Sequence, residues 1–198
     1  MTKHNKISQY LLPFMGWLIL FGGCYYVFFP TYSNLVLLLT SLILNSFTAI
    51  GVSLFDVPGQ GIGLIYANAT TPLGFRYDLF SIALNAMFAP ALVMTTLGPN
   101  ANAIIRATIA IAIMILLHSF HVLTIILHFL VKSSNPILTA QLAPWLTSLI
   151  HWAYTFSDKM GYTFFPFIAW FMVCFGAILR FLNRKPPASA IPEIDAPH

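Results

Sequence analysis

Ala103–Val131 reads AIIRATIAIAIMILLHSFHVLTIILHFLV, and its composition decides the class of the whole chain. One charged residue, Arg106, stands among aliphatic side chains over a run longer than the ~20 apolar residues that cross a bilayer as a helix. So long a run predicts a span that is tilted or that extends past the hydrocarbon. The remainder of the chain agrees. Of 198 residues 59% are hydrophobic and 7% charged, and the mean hydropathy is +0.83, whereas a soluble domain carries ~25% charged residues to face water. Nine Lys and Arg against five Asp and Glu leave a formal charge of +4. The basic residues are scattered and form no stripe that could track phosphates, which excludes nucleic acid as a partner class. No polar stretch is long enough for a soluble catalytic domain. The expected class is an integral membrane protein in contact with lipids.

Outward from that helix, Leu11–Phe29, Leu79–Leu97 and Phe164–Leu182 read as three more spans by length and lack of charge. The first could be mistaken for a signal peptide, but it has membrane-spanning length and Pro30-Thr31-Tyr32 is a poor cleavage site, so an uncleaved helix is expected. Two further apolar segments are ambiguous. Leu35–Phe55 holds Thr40, Ser41, Asn45, Ser46, Thr48 and Ser53; Ile137–Phe156 holds Gln141, Pro144, His151, Trp145 and Trp152. Recurrent polar groups and headgroup-seeking Trp suit helices lying in the interface. Between Gly51 and Arg76 four Gly and two Pro bound a short apolar patch, which predicts one or two short strands in a β-hairpin, residues 51–76. Such backbone cannot face lipid with its hydrogen bonds unmade, so it must be in water or covered by protein. Asn68-Ala69-Thr70 matches a glycosylation sequon, a weak three-residue signal.

Lys3 and Lys6 at one end and Arg180, Arg184 and Lys185 at the other place both termini in the cytoplasm by the positive-inside rule, which requires an even number of crossings. The expected fold is an all-α polytopic membrane protein with four transmembrane helices, two interfacial or partly embedded helices and a small β-hairpin. Six transmembrane helices are the alternative, and charge alone favours that count by a narrow margin. Residues 1–185 form a single membrane domain, and the Pro- and Ala-rich tail, 186–198, is expected to be disordered.

Ionisable and polar groups at membrane depth are costly and therefore mark candidate sites. His118, His121 and His128 occupy one arc of about 80° on the long helix at 100° per residue. That face suits a metal, haem or proton relay, or else helix–helix hydrogen bonds with His128 reaching the outer surface. His151 is the other histidine that could join it. Arg76, Tyr77 and Asp78 enter a helix straight from the hairpin, with Asp78 placed as an N-cap and Arg76 as its ion-pair partner. Asp158, in Ser157-Asp158-Lys159-Met160-Gly161, stands just before the last span, where the same capping role fits. Cys24 and Cys174 lie inside apolar runs, which raise a thiol's pKa and leave little thiolate, so both read as packing residues. No hydrolase or phosphate-loop motif occurs, and no cofactor is expected.

The order of parts resembles the exosortase/archaeosortase family of membrane transpeptidase-like proteins. In that family an extracytoplasmic β-hairpin feeds a helix beginning Ala-Cys-Ser-Gly, a long helix carries Asn-x-x-Arg, and a later helix opens near a His and a Gly. Here the hairpin at Asp56–Gly74 feeds Tyr77-Asp78-Leu79-Phe80-Ser81, the long helix carries His118-Ser119-Phe120-His121, and Ser157-Asp158-Lys159-Met160-Gly161 precedes the last span. The similarity covers Val52 to Leu182. A Cys–Arg–His site needs a thiolate, a basic group to hold it or the oxyanion, and a proton donor, yet no Cys lies between Cys24 and Cys174, His121 replaces the Arg and Ser157 the His. The resemblance therefore implies a non-catalytic relative, similar to exosortase-associated membrane proteins. It implies a bacterial inner-membrane location, a partner exosortase or a sorted protein's transmembrane tail, and a hairpin outside the cytoplasm. The last point selects four crossings, with the two ambiguous segments roofing a cluster of Arg76, Asp78, His118 and His121.

Overall fold

The computed structural model describes residues 4–47, 52–57, 61–66, 73–75, 79–132 and 143–183. The chain is predominantly helical. Helix α1 runs His4–Phe47, a sheet follows with strands β1 (Val52–Val57), β2 (Gly61–Tyr66) and β3 (Leu73–Phe75), and α2 covers Leu79–Ala83. A 3-10 turn, Leu84–Met87, leads into α3 (Phe88–Leu97), after which α4 spans Ala101–Lys132. Helix α5 (Pro144–Phe156) passes through a π-helical turn, Ser157–Gly161, directly into α6 (Tyr162–Leu182). Three stretches are long and apolar enough to cross a membrane: Ser8–Ser46, Ala101–Lys132 and Thr163–Arg180.

Several expected boundaries move. Leu11–Phe29 and the first part of Leu35–Phe55 are one helix of 44 residues that continues through Pro13 and Pro30. Of the polar residues that suggested an interfacial segment, Thr40, Ser41 and Ser46 bond carbonyls of the helix itself, as does Ser33 before them. Ser33 Oγ donates to the Pro30 carbonyl at 3.0 Å, Thr40 Oγ1 to that of Val36 at 2.7 Å and Ser46 Oγ to that of Leu42 at 2.8 Å. Back-bonding of this kind lets Ser and Thr sit in a helix without needing water. At ~1.5 Å per residue α1 is about 66 Å long, roughly twice the ~30 Å hydrocarbon core.

Leu79–Leu97, expected as one span, is instead broken by the 3-10 turn. Pro90, in the first turn of α3, has no N–H to give the Ala86 carbonyl, and the turn upstream tightens accordingly. Gly98, at φ +73°, ends α3 and its N–H returns to the Met94 carbonyl at 2.9 Å. Asn100 then caps α4, its Oδ1 accepting from the Ala103 N–H at 2.9 Å.

Ile137–Phe156 is described only from residue 143 onward. Its described part, α5, lies against the last turns of α4 and continues into α6 through the π turn. Ser157 and Asp158 are consequently inside a continuous helical path, and Asp158 does not begin a helix as an N-cap would. Paired residues give the directions. Thr124 meets Ser157, His118 and His121 meet Phe165, and Arg106 meets Val173, so α5–α6 runs antiparallel to α4. Tyr32 meets His118 while Thr40 meets Ser119, so α1 runs parallel to α4. Phe14 meets Phe88 and Phe29 meets Phe80, so the α2–α3 segment runs antiparallel to α1.

The core lies between α1, α3, α4 and α6. Ala103, Ala107, Ala110 and Met114 form a buried column on α4, and Ala83, Ala86, Ala89 and Ala169 of other elements are buried in the same core. Small residues at these contacts let helix backbones approach, which is how helices adhere where lipid is as apolar as the side chains. Leu12, Ile19 and Met172 are 78%, 73% and 61% exposed, an outward apolar face suited to lipid. The sheet is antiparallel in the order β1-β2-β3, with Leu54 opposite Leu64 and Gly63 opposite Gly74. This is one strand more than the sequence suggested. Ile62 anchors it, its side chain buried in the helical core.

Candidate functional site

The strongest concentration of buried polar groups lies where α1, the 3-10 turn, α4 and the α5–α6 path converge. Its centre is His118, fully buried. Tyr32 Oη lies 2.5 Å from Nδ1 and Asn85 Oδ1 lies 2.9 Å from Nε2. Oδ1 can only accept, so Nε2 carries the proton; the neutral ring then accepts at Nδ1 from the Tyr32 hydroxyl. Three helical elements are thereby tied by one uncharged imidazole. Tyr32 is 7% and Asn85 8% exposed.

Around this centre the seam continues upward along α4. Ser119 Oγ donates to the Ile115 carbonyl at 2.8 Å and approaches that of Val36 at 3.3 Å, while Thr40 Oγ1 reaches the Ser119 carbonyl at 3.2 Å. His121 is buried and stands edge-on to Phe165 with ring centroids 6.2 Å apart; His118 lies 5.9 Å from the same ring. Thr124 Oγ1 donates to the His121 carbonyl at 2.7 Å and pairs with Ser157 Oγ at 2.8 Å. Gly161 completes the packing: a Cβ there would meet the Phe165 ring at 2.6 Å, so only glycine lets that ring lie between the two histidines and α6. Tyr25 and Phe80 enclose the lower side, 5.9 Å apart. An apolar cavity of about 120 Å³ adjoins Tyr32, lined by Phe21, Tyr25, Phe28, Pro90 and Ile111.

The structure brings together His118 and His121, and it brings Ser157 to within one residue of His121 through Thr124. It does not bring His128 to them. That ring is stacked on Tyr154 of α5 at 4.2 Å and 7° instead. Among the described residues no three of His, Cys, Asp and Glu gather closely enough to hold a metal ion, so the α4 histidine face is not a three-ligand centre. Asp158 is exposed in the π turn, with its carboxylate close enough to act on His121 and Tyr154. Burial, and after it the Asp158 carboxylate, raises the Tyr154 phenol above its ordinary pKa. Arg76, Tyr77 and Asp78 lie outside the described residues, as do the hairpin's turns and the tail 186–198.

Tyr32 and Asn85 are site residues that the sequence reading passed over. Asn85 carried a signal, being the one amide inside Leu79–Leu97. Tyr32 carried none, because it follows Pro30 in what reads as a break between helices.

On the outer face, α5 presents Trp145, Leu149, Trp152 and Phe156, which are 67%, 49%, 63% and 49% exposed. Their spacing of four, three and four places them on one stripe. Trp152 and Phe156 stack at 5.4 Å and 12°, which stiffens it. On α1 exposed large apolar side chains continue from Leu11 to Leu42, an axial distance of about 47 Å against the ~30 Å of hydrocarbon. No protein family, curated protein or solved structure matches this chain.

Proposed function

We propose that the protein is a non-catalytic binding component of a bacterial inner-membrane sorting system of the exosortase type. Its role is to hold a helix of the sorting enzyme, or the transmembrane tail of a sorted protein, against α5. The observation that carries this reading is the Trp145–Leu149–Trp152–Phe156 stripe. Apolar residues repeating every 3.5 positions form the seam along which one helix packs on another, and large exposed apolar patches rimmed by polar residues mark interaction surfaces. The surplus of apolar length on α1 supports it, because side chains beyond the hydrocarbon need another cover.

The polar seam supports the non-catalytic part. His121 and Ser157 occupy the positions that the resemblance aligns with the family's Arg and His, and both are committed to helix packing. His118 spends its two nitrogens on Tyr32 and Asn85. The helix directions support four crossings with both termini cytoplasmic: α1 and α4 outward, α2–α3 and α6 inward, and the sheet with α5 on the outer side. In this arrangement the broken α2–α3 segment is the fourth crossing.

The test is a photo-crosslinking amino acid at Trp152, with a second at Ile19 on the lipid-facing part of α1, in cells that express the native membrane proteome. Trp152 should yield a discrete protein adduct containing an exosortase or a protein with a sorting tail, and Ile19 should yield lipid adducts alone. Lipid adducts alone at both positions would overturn the proposal.

A further inference from the structure

His128 and His151 lie outside the buried seam, on adjacent antiparallel helices at the outer end of the molecule. Their ring centroids are 5.2 Å apart. His151 is exposed and His128 partly so, and neither imidazole hydrogen-bonds another described residue. Stacking on Tyr154 at 4.2 Å and 7° occupies a face of the His128 ring and fixes its plane. We infer that His128 and His151 form a two-histidine site for a borderline-soft divalent cation such as Zn²⁺, Cu²⁺ or Ni²⁺, clamping α5 to the end of α4.

Imidazole nitrogens bind zinc at ~2.0–2.1 Å, and two such rings spanning a tetrahedral angle have centroids about 5.2 Å apart once the ring radius is added. The observed separation of 5.2 Å matches that spacing. Imidazole is a ligand for Zn, Cu and Ni, while Mg and Ca prefer oxygen, so the site discriminates by chemistry. Two protein ligands leave the other positions to water or to a donor from a bound partner, as in zinc sites that keep open coordination. The Lys132 ammonium bears on His128 and works against a cation, which keeps the affinity below that of a closed structural zinc site. This inference is independent of the sorting role: it concerns only how α5 is held.

The test uses full-length protein in detergent, purified through a tag without histidine, and reads Zn²⁺ binding by calorimetry and by the shift of the thermal midpoint. One zinc ion should bind per chain and raise the midpoint, as any ligand selective for the folded state does. H128Q and H151Q should each weaken binding by at least the ~10–100-fold that even the outer partners of metal ligands are worth. The double variant should be no worse than either single. H4Q together with H198Q, which removes the terminal histidines, should bind as the unaltered protein does. Cu²⁺ in place of Zn²⁺ should show two imidazole nitrogens in its electron paramagnetic resonance spectrum. Mg²⁺ should do nothing. Zinc binding that survives H128Q or H151Q with unchanged affinity, or a copper spectrum without two imidazoles, would overturn the site. Both variants should keep the zinc-free midpoint close to the original, so that lost binding is not lost folding.

Discussion

Replacing Tyr32 by Phe removes one oxygen atom from the buried seam and leaves the ring in place. The His118 Nδ1 acceptor then loses the hydroxyl that lies 2.5 Å away, in a site where His118 is fully buried. A stranded buried group costs ~1–3 kcal/mol in soluble proteins, whereas hydrogen bonds between membrane helices average ~0.6 and reach ~1.7 kcal/mol. The lower scale reflects partners found in the membrane-embedded unfolded state. Here Asn85 already holds the other nitrogen, so no tautomer change can repair the loss, and a cost of about 1 kcal/mol is expected, close to fivefold in the unfolding equilibrium. The decisive comparison is the same change in a His118→Leu background. There Tyr32 has no acceptor, its hydroxyl is itself stranded, and Tyr32→Phe should be neutral or stabilising. Equilibrium unfolding in mixed micelles measures all four proteins of the cycle. An equal cost of Tyr32→Phe in both backgrounds would refute the contact as an energetic link.

Three further outcomes are expected. Gly161→Ala should destabilise by ~1–3 kcal/mol through overpacking, because the added Cβ would meet the Phe165 ring at 2.6 Å; Phe165→Leu in the same chain should recover part of the loss, which a melting curve will show. Cys24 is exposed and Cys174 buried, so a small maleimide in detergent should label Cys24 on the folded protein and Cys174 only after denaturation, and mass spectrometry of the peptides will tell them apart; equal labelling at both would contradict the α6 packing. Cysteines introduced at Asn100 and Lys159, with both native cysteines replaced by Ser, should react from opposite sides of the membrane with an impermeant maleimide, Lys159 from outside. Labelling of both from one side would reverse the deduced helix directions.

How much could be read beforehand follows from what periodicity contains. The membrane class and α4 were legible, because nothing but a span or a buried helix is built from Ala103–Val131. The burial of His118 and His121 was legible in part, since imidazoles amid aliphatics must find partners. The identity of those partners was not, because Tyr32 and Asn85 come from elements whose rotation about α4 no single-helix pattern records. His128 shows the same limit: it shares the arc of the other two, but α5 covers only the last turns of α4 and draws that ring outward. Pro30 and Ser157-Asp158 read as boundaries, yet α1 continues unbroken through the first and a π turn carries the second. Sequence rules place Pro and Asp at helix ends because water usually competes there; in an apolar setting the helix is the cheaper place for the backbone.

Helix α1 has a mechanical consequence. A rod of about 66 Å fits a ~30 Å hydrocarbon layer only at a tilt above 60°, beyond the 0–40° that membrane helices adopt. In a bilayer of that thickness one part of it would stand clear of the hydrocarbon as a mast, with β1 packed against the helix. A change of 10° in the tilt of such a mast, about 36 Å long beyond the hydrocarbon, sweeps its tip sideways by roughly 6 Å. Bilayer thickness sets tilt, so a local thinning or thickening of the lipid would be transmitted, along a single unbroken lever, as lateral travel of the sheet above the membrane surface.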